Sequence, residues 1–85
     1  MKEFKYVITD KLGIHARPAG LLAKTAASFE CNVKIIAGER EVDARRLLAL
    51  MKLGAKQNDE IIIRCDGPDE DDAIKKLSAF LEENL

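Results

Sequence analysis

With 85 residues, 47% of them apolar and 34% charged, the chain has the composition of a globule with room for one modest hydrophobic core. Its 14 basic and 15 acidic residues leave a formal charge of −1, a field that favours neither nucleic acid nor an anionic membrane surface. No apolar run approaches the roughly 20 residues that span a bilayer, and MKEFKYVITD lacks the apolar stretch of a signal peptide, so a cytoplasmic chain with no membrane insertion is expected.

Phe4, Tyr6 and Ile8 alternate with Lys5, Val7 and Thr9, the period-two pattern of a half-buried strand. The segment GIHARPAG, residues 13 to 20, follows and holds the only histidine. A helix is predicted from about Ala16 to Phe29, with Ala19, Leu22, Ala23 and Ala26 on its buried face. Arg17, Gly20, Lys24 and Ala27 make an outward stripe on the same helix, with Leu21 beside it. Cys31, Val33 and Ile35 alternate again, Ala37-Gly38-Glu39 reads as a turn, and Arg40 to Val42 pairs back as a hairpin.

A second, shorter helix is predicted from about Asp43 to Leu53 and ends at Gly54, a residue suited to the position just past a helix C-terminus. Gln57-Asn58-Asp59 is a turn before a strand from Glu60 to Cys65. Asp69, Glu70, Asp71 and Asp72 then sit at the positive end of a last helix, whose inner face carries Ile74, Leu77 and Leu81 with Ala73 and Phe80 beside them. The order βαββαβα makes an α/β (α+β) two-layer sandwich: an antiparallel sheet covered by helices on one face. Residues 1–85 read as one domain, with no linker or internal repeat.

The two cysteines, Cys31 and Cys65, cannot make a zinc site with one histidine, so no metal or other cofactor is implied. Both fall in strand-like runs and read as buried free thiols, a bridge between them being disfavoured in a reducing compartment.

His15 stands directly before the periodic helix. There the first-turn N–H groups lack intrahelical partners and the dipole leaves about half a positive charge, a ready site for an anion. Pro18 suits this first turn because its missing N–H costs little. Gly13 lets the chain turn sharply, and Ala16 leaves space around the ring. Arg17 adds a planar fork that pairs with phosphate oxygens. Neutral imidazole is a competent nucleophile. Together these residues describe a histidine that accepts a phosphoryl group, then held by the N-terminal residues Ala16, Arg17 and Pro18. Spacing alone leaves equal room for a solvated surface histidine.

GIHARPAG, with RRLLALMKLGAKQNDEI and GPDEDDAI, resembles the histidine-containing phosphocarrier (HPr) family of the bacterial phosphoenolpyruvate-dependent sugar phosphotransferase system, over nearly the whole chain. The resemblance implies an open-faced β-sandwich, with three helices over a four-stranded sheet in the order 1-4-2-3. It also implies that enzyme I passes a phosphoryl group to Nδ1 of His15, which gives it to the IIA domain of a sugar permease. Such a chain is a carrier, not an enzyme turning over a substrate alone.

LLALMKL, residues 47 to 53, is apolar nearly all round, so part of it must face solvent. Leu47, Leu48 and Met51 are therefore a candidate docking patch, flanked by the Gly20, Lys24 and Ala27 stripe. The resemblance places this helix beside the histidine, in contact with both partners. Because the patch then has a use, a monomer is expected. Where many Gram-positive relatives carry a regulatory serine, this chain has Arg46 and no serine or threonine from Asp43 to Leu53. Arginine is a poor N-cap, so Asp43 is expected to cap the helix about a turn earlier. The alternatives are a carrier of a regulatory, nitrogen-related phosphotransferase branch and a module that binds an anion without transferring it. An RNA-binding sheet, though of similar element order, needs stacking aromatics that three Phe, one Tyr and no Trp do not supply.

Overall fold

The computed structural model describes residues 1–85. Its elements run β1 (Lys2–Val7), α1 (Ala16–Ala27), β2 (Asn32–Ala37), β3 (Arg40–Asp43), α2 (Leu47–Lys52), β4 (Glu60–Asp66) and α3 (Glu70–Asn84). All strand pairs are antiparallel, in the order β1-β4-β2-β3.

Alternation decides which face of this sheet is wet. Register sets Phe4 against Ile63 and Tyr6 against Ile61, then Val33 against Cys65, Ile35 against Ile63 and Ile35 against Val42. One face is thus apolar from edge to edge, and Val33, Ile35, Ile61, Ile63 and Cys65 are fully buried on it. The other face carries Glu3, Arg64, Lys34 and Asp43 in one row. There Arg64 on β4 bridges Glu3 on the adjacent β1 at 2.7 Å and, across β2, Glu41 on β3 at 3.0 Å. Such exposed pairs contribute little, but they keep the open face polar.

The helices close the apolar face. Ala19, Leu22 and Ala26 bury on α1, and Ala73, Leu77 and Leu81 on α3, each set spaced for one helical face. On α3 the core position falls to Ala73, with Ile74 only half-buried. In α2 only Leu50 is buried. α1 packs against both α2 and α3.

Two helix boundaries differ from the sequence expectation. α1 stops at Ala27, not Phe29, because the Ser28 and Phe29 N–H groups donate three residues back, to Thr25 and Ala26, and tighten the last turn. α2 starts at Leu47, not Asp43. The Asp43 carboxylate instead accepts the Arg45 N–H at 2.9 Å and grips the Arg45 guanidinium at 3.0 and 3.1 Å. Ala44 N–H still donates to Val33 on β2, so this stretch belongs to the sheet edge. Arg46 becomes the N-cap in an extended conformation, with no side-chain cap. Gly54, with φ 73°, does follow the helix as expected.

Candidate functional site

The loop between β1 and α1 is fastened at its centre. Gly13 has φ 66°, and a Cβ there would overlap the Ala55 carbonyl oxygen and lie 2.8 Å from Lys56 Cα. Ile14 is buried, and its N–H donates to Ala55 O at 3.2 Å. With Gly13 and Ile14 seated against residues 55 and 56, the next residue must emerge at the surface. His15 does so as the N-cap of α1, with φ −109° and ψ 179° and its side chain 34% exposed. Its carbonyl accepts the Ala19 N–H at 2.9 Å, so α1 begins tightly under the ring.

The imidazole makes no capping hydrogen bond. The Ala16 and Arg17 N–H groups have no backbone acceptor, Pro18 has none to offer, and Ala19 is satisfied by His15. Two free amides therefore remain at the positive end of a 12-residue helix. Pro18, grouped above with the phosphate-binding residues, cannot donate. It is buried and contributes its fixed φ. Arg17 is exposed and in no ion pair within the chain.

A groove of about 250 Å³ surrounds the ring, lined by Asp10, His15, Arg17, Pro18, Leu21, Glu83 and Asn84. The sequence reading found His15, Arg17 and Pro18, which a local signature carries. It missed Asp10, Glu83 and Asn84. Asp10 Oδ2 lies 3.5 Å from His15 Nε2, and its Oδ1 accepts the Leu12 N–H at 2.8 Å. That Leu12 bond, with the nearby imidazole adding to it, holds the Asp10 carboxyl below the usual carboxylate range. An aspartate five residues before the histidine was the available signal. Glu83 and Asn84 come from the end of α3, and no local pattern points to them.

The expected docking residues are where a partner could reach them. Leu47, Leu48 and Met51 are 41%, 69% and 43% exposed, and Leu21 is 44% exposed at the edge of the histidine groove. Arg17, Lys24 and Ala27 are exposed along α1, and Gly20, half-buried among them, has nothing within 4 Å of where a Cβ would stand. Arg46 is exposed at the start of α2. Cys31 and Cys65 are buried free thiols, as their strand-like surroundings suggested. Burial pushes the Cys31 thiol up to about 12 and raises that of Cys65.

Residues 2–83 match the family model described as the PTS HPr component phosphorylation site. The phosphocarrier protein HPr of Mycoplasma genitalium is 44% identical over 85 residues, 99% of this chain and 97% of that protein. A Mycoplasma histidine-containing phosphocarrier protein of known structure superposes with a TM-score of 0.94 at 39% identity, covering 96% of this chain and 93% of that one. An HPr from Thermoanaerobacter tengcongensis gives a TM-score of 0.92 at 35% identity, over 98% and 93% of the two chains, and a dimer of HPr from that organism gives 0.77. Fold, histidine loop and full-length likeness agree: the chain belongs to the HPr family of phosphocarrier proteins of the phosphotransferase system.

Proposed function

We propose that this chain takes a phosphoryl group from enzyme I onto Nδ1 of His15 and passes it to the IIA domain of a sugar permease. One observation carries the reading. A one-third exposed imidazole caps α1 beside the two unpartnered amides of Ala16 and Arg17, with the Arg17 guanidinium unpaired next to it. Phosphate oxygens arriving on the ring find these donors already placed, so little reorganisation is needed as charge builds up. Attack by the Nδ1 lone pair forms the P–N bond while the bond to the donor breaks, its electron pair leaving with the donor. Transfer onward reverses this, so the chain is a carrier restored at each cycle and not an enzyme. It needs no cofactor of its own.

Leu47, Leu48, Met51 and Leu21 form the apolar part of the partner-docking face, and Gly20, Lys24 and Ala27 its margin. With that face reserved for partners, the working form is a monomer in the cytoplasm. At Arg46 no hydroxyl exists to accept the regulatory phosphate that the family resemblance places there, so control through this position is absent.

Incubation with enzyme I and phosphoenolpyruvate tests the reading. One acid-labile, base-stable phosphate per chain is expected, none in His15→Ala, and transfer slowed at least about tenfold in Arg17→Ala. Unchanged transfer in the arginine variant removes Arg17 from the mechanism. No incorporation at all leaves a module that binds anions without transferring them. Stoichiometric acid-stable phosphate from an ATP-dependent kinase would overturn the conclusion about Arg46.

A further inference from the structure

Asp10 is held from both sides at the floor of the histidine groove. Its N–H donates to the Leu85 carbonyl at 2.8 Å, its carbonyl accepts the Gly13 N–H at 3.0 Å, and its Oδ1 accepts the Leu12 N–H at 2.8 Å. A carboxylate so fixed has one oxygen to spare, and Oδ2 stands 3.5 Å from His15 Nε2. That distance is an ion-pair contact at the outer edge of hydrogen-bond reach, and such contacts often tighten only as the reacting complex forms. Two other charged groups line the groove: Arg17 from α1 and Glu83 from α3. Neither forms an ion pair, and only Asp10 lies within ion-pair distance of the imidazole.

We infer that Asp10 is a positioning residue for phosphoryl transfer, its carboxylate keeping the ring proton on Nε2 and so leaving the Nδ1 lone pair bare. A neutral imidazole carries one proton, and a carboxylate facing one nitrogen decides which nitrogen holds it. This assignment rests on His15 being the acceptor, and it adds an account of the ring's charge. When Nδ1 bonds to phosphorus, the ring becomes positive and retains its Nε2 proton opposite Asp10. When the P–Nδ1 bond breaks, its electron pair returns to Nδ1 and the same proton stays in place. No proton has to enter or leave in either direction, and the carboxylate attracts the ring most when it is charged. The arrangement favours the charged ring of the transition state over the neutral resting one.

The rival explanation is that Asp10 only turns the loop through its bond to Leu12. Asp10→Asn separates the two, since an amide oxygen still accepts that N–H but carries no charge. With enzyme I and phosphoenolpyruvate, the maximal rate of Asp10→Asn is expected to fall about tenfold. The half-saturating concentration should not move, because Asp10 lies outside the apolar docking patch. Nitrogen-15 NMR of the unphosphorylated chain at mildly alkaline pH should show wild-type His15 protonated at Nε2, with slowed exchange of that proton. In Asp10→Ala the exchange should quicken and the other tautomer gain. A wild-type rate in Asp10→Asn, or a wild-type ring protonated on Nδ1, overturns the assignment. Should no chain take phosphate, the acceptor reading fails separately. The NMR result then decides alone: Nε2–H lost on removing Asp10 supports the pairing, and no change defeats it.

Discussion

Gly13 and Gly20 lie on either side of the histidine and respond in opposite ways to an added methyl group. At Gly13 a Cβ meets the carbonyl of Ala55 and the Cα of Lys56, both backbone, and the positive φ is itself strained for any other residue. Gly13→Ala should cost about 1–3 kcal/mol in urea denaturation and slow phosphorylation, since His15 is aimed by this loop. At Gly20, mid-helix with open space, Gly20→Ala should add about 0.5–1 kcal/mol of stability. Equal effects of the two substitutions would show that the loop is not fastened where the geometry places it. These residues also mark what could be read from the chain alone. His15, Arg17 and Gly13 sit within five consecutive positions, so a local signature exposes them. Asp10 was passed over because an aspartate in a surface loop is ordinary until its distance to the ring is known. Glu83 and Asn84 reach the groove only through the packing of α3 against α1, which no short window of sequence contains.

At the scale of elements, α2 shows the division of labour most clearly. Its six residues bury one side chain, Leu50, and expose Leu47, Leu48 and Met51. A helix this short has almost no stability of its own, so Leu50 anchors the face proposed for docking. Leu50→Ala should therefore cost about 2–5 kcal/mol. Leu48→Ala should change stability by no more than about 0.5 kcal/mol while weakening the interaction with enzyme I. Measured by denaturation and by the concentration dependence of phosphorylation, the two variants should separate cleanly. If Leu48→Ala unfolds the chain as readily as Leu50→Ala, the exposed face is structural and the docking assignment is lost. Period-two alternation made β1 and β2 legible, turn residues marked β3 and β4, and the 3.6-residue period exposed α1 and α3. The start of α2 was not legible, because an aspartate before an apolar run reads as a helix cap. Here Asp43 stays in the sheet and spends its carboxylate on Arg45.

Across the whole molecule, no polar or charged residue is buried, and charge acts where sheet passes into helix. Asp10 holds the turn before α1 and Asp43 the turn before α2, while Asp69 stands at the N-cap of α3 without a side-chain capping bond. Asp69 also ties α3 to the chain entering β2, accepting the Glu30 and Cys31 N–H groups at 2.8 and 2.9 Å. All three carboxyls lie below their ordinary value of 3.8, Asp10 through the Leu12 N–H, Asp43 through the Arg45 guanidinium and Asp69 through the Glu30 N–H. A carboxyl depressed by folding contributes stability that is complete above about pH 4 and is lost as pH falls through its folded value. The thiols act at the other end. Cys31, raised by burial from 9.0 to about 12, keeps its proton in the folded chain at pH values where the unfolded chain releases it. Stability should then decline between those two values, by as much as about 1.4 kcal/mol per pH unit for one such proton. Urea midpoints measured from pH 2 to 11 should trace a plateau with an acid limb and an alkaline limb. Asp69→Asn should flatten the first and Cys31→Ala the second. Because only slopes are compared, the small packing loss of the alanine does not matter. A Cys31→Ala chain with the wild-type alkaline slope would mean that the thiol is not the group resisting ionisation.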